Sequence, residues 1–110
     1  MVNLPGATSV ALDLTPITKG APEILFSLPV GVNVTTALSV TNAPASGVLA
    51  AFVLVVHGNS GSAITWPSNF LWPQGIVPSL SGVAGKLDTF VGYTLNGGAT
   101  FYTFVAGQNQ

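Results

Sequence analysis

Apolar and polar residues alternate with a period of two along much of the chain. Over 9–15, Val10, Leu12 and Leu14 fall on one side and Ser9, Ala11, Asp13 and Thr15 on the other. Over 32–41 the split is Val32, Val34, Thr36, Leu38 and Val40 against Asn33, Thr35, Ala37, Ser39 and Thr41. Such alternation predicts β-strands with one dry face and one wet face. A shorter strand is predicted over 23–28, with Ile24, Phe26 and Leu28 on one side. The stretches Pro16 to Pro22, Pro29 to Gly31 and Asn42 to Gly47 separate these strands.

Two segments break the alternation. In residues 48–57, Val48, Ala50, Phe52, Leu54 and Val56 face one way and Leu49, Ala51, Val53 and Val55 the other, so both faces are apolar. The β-branched run favours a strand there over a ten-residue helix. The last strand, 99–106, opposes Phe101 and Val105 to Tyr102 and Phe104. A strand in a two-layer sandwich has only one inner face. The second apolar face therefore needs a cover, either the 66–88 loop with the N-terminal segment or another subunit. Gly58-Asn59-Ser60-Gly61 is expected to close a hairpin onto 62–66, and Asn96-Gly97-Gly98 to join a strand over 86–95 to the last one. Thirteen glycines and eight prolines punctuate the chain about every eight to twelve residues, as in an all-β sandwich or barrel. The expected fold is all-β, a two-sheet antiparallel sandwich of jelly-roll type with seven or eight strands, no helix and no internal repeat. It forms a single domain over residues 1–110, with 1–7 as an N-terminal arm and 107–110 as a C-terminal tail.

The stretch from Ile64 to Asp88 carries both tryptophans, Trp66 and Trp72, each before a proline. A residue before proline is pushed to extended or turn backbone, so a strand should end at Trp66 and an ordered loop follow. Two large apolar side chains in one loop either fold over the open end of the sandwich or form an adhesive tip.

Charge sharpens the question of cover. The chain has two Lys or Arg and three Asp or Glu, 5% of its residues, where roughly 25% is usual. A free monomer with so few charges is poorly protected against self-association, which favours burial of the second faces against other subunits. Two lysines and no arginine cannot track a phosphate backbone, so nucleic acid is not an expected partner. The longest apolar run, Val48 to Val56, is too short for a membrane helix of about 20 residues. The N-terminus lacks the pattern of a signal peptide, and the chain, beginning at Met1, reads as complete.

Little in the sequence supports catalysis. His57 is the single histidine, and a hydrogen-bonded structural role outweighs a triad role for it. Without cysteine, and with three scattered carboxylates, the chain offers no metal-ligand spacing, and no cofactor is expected. Gly82-Val83-Ala84-Gly85-Lys86 lacks the first glycine and the hydroxyl residue of a phosphate loop. Lys86 and Asp88, two apart, read as a solvated ion pair. An aromatic sugar platform of Trp66, Trp72, Tyr93 and Tyr102, with Asn69, Gln74 and Asn96 as polar readers, is the best small-ligand idea. Tryptophans packed inward are the stronger reading, because Pro67 and Pro73 hold them rigid.

The succession Ile64-Thr65-Trp66-Pro67, Trp72-Pro73-Gln74-Gly75, Pro78-Ser79-Leu80, Gly85-Lys86-Leu87-Asp88 and Asn96-Gly97-Gly98 with Phe101-Tyr102 resembles a module of tailed-bacteriophage virion proteins. Leu12-Asp13-Leu14, Val34-Thr35-Thr36 and Phe52 to Val56 extend the resemblance over most of residues 8–107. It departs at Phe101-Tyr102, where a tryptophan is common. The resemblance implies a non-enzymatic structural protein with no shared catalytic residues. Within that class, the expected role is a small capsid decoration (cement) protein on the capsid exterior, binding major capsid protein subunits and forming a homo-oligomer, dimer or trimer. A tail-fibre or receptor-binding module for host glycan is the alternative. The candidate interaction surface is Val53, Val55, Trp66, Phe70, Trp72, Tyr102 and Phe104.

Overall fold

The computed structural model describes residues 2–110. Nine strands form two sheets: β1 (Val2–Asn3), β2 (Ser9–Asp13), β3 (Ile24–Pro29), β4 (Thr35–Thr41), β5 (Ser46–His57), β6 (Ala63–Thr65), β7 (Phe70–Leu71), β8 (Leu87–Asn96) and β9 (Phe101–Gly107). The larger sheet has the order β1-β3-β5-β8-β9-β7 and the smaller β2-β4-β6. One helical turn, α1 (Thr15–Thr18), sits where a plain turn was expected, started by Pro16 and anchored by buried Ile17.

The all-β, two-layer expectation holds, but the antiparallel jelly roll gives way to a solenoid-like winding. From β1 to β6 the chain alternates between the sheets, and each strand pairs in parallel with the strand two before it. Only β5–β8 and β8–β9 are antiparallel. The Gly58–Gly61 turn is therefore a crossover to the other sheet rather than a hairpin, because β6 pairs with β4 and β5 with β3 and β8. A structural repeat also exists where none was expected. Partners lie 28 positions apart at Ser9 and Ala37, Ile24 and Phe52, and Thr35 and Ala63. The turns stack with the same offset, Val34 N–H donating to Gly31 O and Ser62 N–H to Asn59 O. The sequence hides this repeat because only the inward pattern recurs, not the residue identities.

The smaller sheet obeys the simple alternation. Val10, Leu12, Thr36 and Leu38 are buried, whereas Ser9, Ala11, Asp13, Thr35, Ala37, Ser39 and Thr41 are exposed. The strand predicted from Val32 starts later, at Thr35, and Val32 lies exposed on the β3–β4 turn. In the larger sheet Ile24, Phe26, Leu28, Ala50, Phe52, Leu54, Val56, Phe90 and Phe101 point into the core. Asn96-Gly97-Gly98 forms the expected hairpin turn, both glycines having positive φ.

At the middle of the core the Phe52 ring lies over Gly92, its cross-strand partner. A Cβ at Gly92 would stand 2.6 Å from Phe52 Cζ and 3.0 Å from Thr103 Cγ2. Phe52 cannot swing aside, because Phe26, Phe70 and Phe101 pack on it with ring centroids 6.0–6.3 Å away. Gly92→Ala is thus expected to overpack the core and cost about 1–3 kcal/mol, seen as a lower urea midpoint with an unchanged slope.

Candidate interaction surface

The residues singled out from the sequence fall into two groups. Phe70 and Trp72 are buried and Trp66 is half-buried, all in the core between the layers. Pro67 and Pro73 turn the chain so that these rings join Phe26, Phe52, Phe90 and Phe101 in one aromatic cluster. Centroid separations within it run from 4.8 Å (Trp66–Phe90) to 6.3 Å (Phe26–Phe52). Trp66 donates its indole N–H to Pro78 O at 3.2 Å, which ties the far side of the loop down. The loop therefore covers the inner face of β8 and β9, and as part of an adhesive surface Phe70 and Trp72 must be set aside. The sugar platform loses its tryptophans for the same reason. Two of its three proposed readers are also engaged: Asn69 donates to Gly98 O, and the Asn96 side-chain oxygen accepts from Thr94 Oγ1 and the Thr100 N–H.

The second group lies outside. Val53 and Val55 are half-buried on the outward face of the larger sheet, and Tyr102 and Phe104 on β9 are 46% and 41% exposed. Cross-strand register brings them together. Leu25, Val53, Val91 and Phe104 form one continuous row over β3, β5, β8 and β9. Ala51, Tyr93 and Tyr102 form the next, the two tyrosine rings 5.4 Å apart. Leu49 and Leu95, flanking the Ala50–Thr94 pair, continue the face, both about half exposed. Leu25, Val91 and Tyr93 were missing from the sequence-based set, although the alternation in 87–95 already set Val91 and Tyr93 opposite Phe90 and Gly92. With strands ~4.8 Å apart and rows ~6.8 Å apart, the face covers roughly 400–500 Å², the size of the largest patch on an ordinary monomer, which is often functional.

Among the described residues no charged side chain interrupts that face. Lys19, Glu23 and Lys86 lie outside the strands and Asp13 on the smaller sheet. Asp88 is buried, not paired with Lys86 as the sequence implied. Its carboxylate accepts the Ser81 and Asn109 N–H groups at 2.7 and 2.9 Å, closing the tryptophan loop and the C-terminal tail onto β8. His57, at the end of β5, shares a 2.9 Å hydrogen bond with Ser27 Oγ.

Next to Phe104 the face meets a groove of about 380 Å³ lined by Trp72, Pro73, Ile76, Pro78, Phe104, Val105 and Gln108. It opens where β7 stops. β7 pairs with β9 only at Phe70–Phe101 and Leu71–Tyr102, after which Pro73 leads the chain away. Comparison of the chain with protein-family models, curated proteins and solved structures finds no match.

Two measurements check these placements. Trp72→Ala should cost about 3–5 kcal/mol of stability, as a buried ring does, rather than altering surface behaviour in an intact fold. Asp13 tests the acid response. Its carboxylate accepts hydrogen bonds from Thr15 Oγ1, Asn42 Nδ2 and the Thr15 N–H, which hold its pKa below the ordinary value. A depressed folded-state pKa stabilises above the unfolded value, about 3.9, and that stability is lost as pH falls through the folded one. The urea midpoint should therefore fall below about pH 4, and fall less in Asp13→Asn.

Proposed function

We propose that this chain is a non-enzymatic structural protein of a tailed-phage virion. In this reading it is a capsid decoration protein that lays the outward face of its larger sheet on neighbouring major capsid protein subunits at the capsid exterior. The observation that carries the proposal is the uncharged row Leu25–Val53–Val91–Phe104, continued by Tyr93 and Tyr102, on a sheet face that no other part of the described chain covers. The motif resemblance over residues 8–107 supplies the class of assembly. Repeated sites on a shell would bind such a face cumulatively and stabilise the contacts between shell subunits by mass action. The glycan alternative lacks its stacking platform, since both tryptophans pack inward.

The experiment is a count and a titration on particles of the phage that encodes the chain. Quantitative mass spectrometry should find one or two copies per coat subunit, where a handful per particle would point to the tail. Re-addition to stripped shells should be nearly indifferent to salt between about 50 and 500 mM, because burial of apolar surface is not screened. Val53→Asp should weaken re-addition at least ten-fold while the chain still melts cooperatively. A steep salt dependence, or full binding by that variant, would sink the proposal.

A further inference from the structure

We infer that Asn96 is a self-modification site, where the Gly97 main-chain nitrogen attacks the Asn96 side-chain amide and converts it to a carboxylate. Asn96 is the one asparagine of the chain followed by glycine, the residue that hinders such an attack least because it has no Cβ. Both residues are exposed at the tip of the β8–β9 hairpin.

The surroundings of the amide suit the reaction. Negative charge develops on Oδ1 as Cγ becomes tetrahedral, and two donors already reach that oxygen. They are Thr94 Oγ1 and the Thr100 N–H, each at 3.0 Å. Thr94 is fully buried, and its hydroxyl accepts the Gly98 N–H at 3.1 Å, which leaves its own proton for Oδ1. The attacking and leaving nitrogens are free. Among the described residues neither the Gly97 N–H nor Asn96 Nδ2 has a hydrogen-bond acceptor. Bringing Gly97 N onto Cγ requires the peptide unit between them to rotate. Two glycines at the centre of the turn, closed by a long 3.4 Å contact from Ala99 N–H to Asn96 O, resist that little.

Water is the only co-reactant. Gly97 N bonds to Cγ and gives its proton to solvent, Nδ2 takes up a proton and leaves as ammonia, and a cyclic succinimide remains. Water then opens the ring at Cγ to give aspartate, or at the main-chain carbonyl to give isoaspartate. Aspartate keeps both hydrogen bonds, because Thr94 and Thr100 are the donors. Isoaspartate adds an atom to the main chain where β8 turns into β9. Either product places a negative charge in 89–110, a stretch without an acidic or basic side chain. The reaction needs no partner and is independent of shell binding.

The purified full chain, warmed at mildly alkaline pH, should accumulate one more acidic species on ion exchange. Peptide mass spectrometry should place the amide-to-acid change at Asn96, ahead of every other asparagine. Thr94→Val removes one donor and should slow the conversion at least three-fold, whereas Thr94→Ser, which keeps the hydroxyl, should stay within about two-fold of wild type. Should Thr94→Val fail to melt cooperatively, wild type unfolded in guanidinium gives the same comparison, and it should convert at least three-fold more slowly than the folded chain. No acidic species, earlier conversion at another asparagine, an unchanged or raised rate in a folded Thr94→Val, or an unfolded chain as fast as the folded one would overturn the inference.

Discussion

The structure depends on how a three-stranded sheet and a loop together cover the inner face of a six-stranded sheet. β2, β4 and β6 run out before β8 and β9 are roofed, and those two strands bring Phe90 and Phe101 inward. The missing strands are replaced by the 66–88 loop, whose Trp66, Phe70 and Trp72 stack on those two phenylalanines and on Phe52. Irregular backbone can fill such a place only if its polar groups are satisfied. The loop meets that condition with the Trp66 indole on Pro78 O and Asp88 on the Ser81 N–H. A buried carboxylate in a chain with three acids is thus explained by the backbone donors that a mostly irregular roof leaves over.

Using the loop inside has a consequence outside. A segment spent on the inner face of β8 and β9 is not left to cover their outer face, nor that of β5. The two sheets consequently differ on their outward sides. The smaller presents Ser, Thr, Ala and Asp13 to water, and the larger presents Leu25, Val53, Val91, Tyr93, Tyr102 and Phe104. With Asp88 buried, four ionic side chains remain on 5572 Å² of surface. None of them lies on the larger sheet's outward face. The docking proposal starts from this asymmetry.

The inward faces were legible in the sequence because burial imposes a period of two that identity changes do not erase. Val10–Leu12, Phe26–Leu28, Phe52–Val56 and Phe101 all lie where that period sets them, and the two-sided character of 48–57 survives as a real outward patch. Pairing direction was not legible. A strand of alternating valines and threonines reads the same beside a parallel or an antiparallel neighbour, and turn residues such as Gly58-Asn59-Ser60-Gly61 serve a crossover as well as a hairpin. The 28-residue winding shows itself only when Ser9 is set beside Ala37 and Ile24 beside Phe52, pairs with no identity to betray them. The inward turn of Trp66 and Trp72 was legible only as the stronger of two readings, because a proline after tryptophan fixes the backbone but not which side the ring takes, and that of Phe70 was not legible at all.

Edges decide where association can occur. A parallel winding leaves open edges at both ends of each sheet, and open edges invite pairing with other chains. In the larger sheet those ends are the two-residue strands β1 and β7, too short to template a neighbour along their length. In the smaller sheet β2 carries Asp13 on its outward face, and Pro67 follows β6 closely. Main-chain addition is therefore disfavoured at all four ends. Beyond the end of β7, however, β9 continues for several residues, and there the rim is lined by Ile76, Pro78, Phe104 and Val105 rather than by a charge. An apolar lining is the opposite of the usual protection of an edge, and this stretch of β9 lacks the charge that would blunt pairing there.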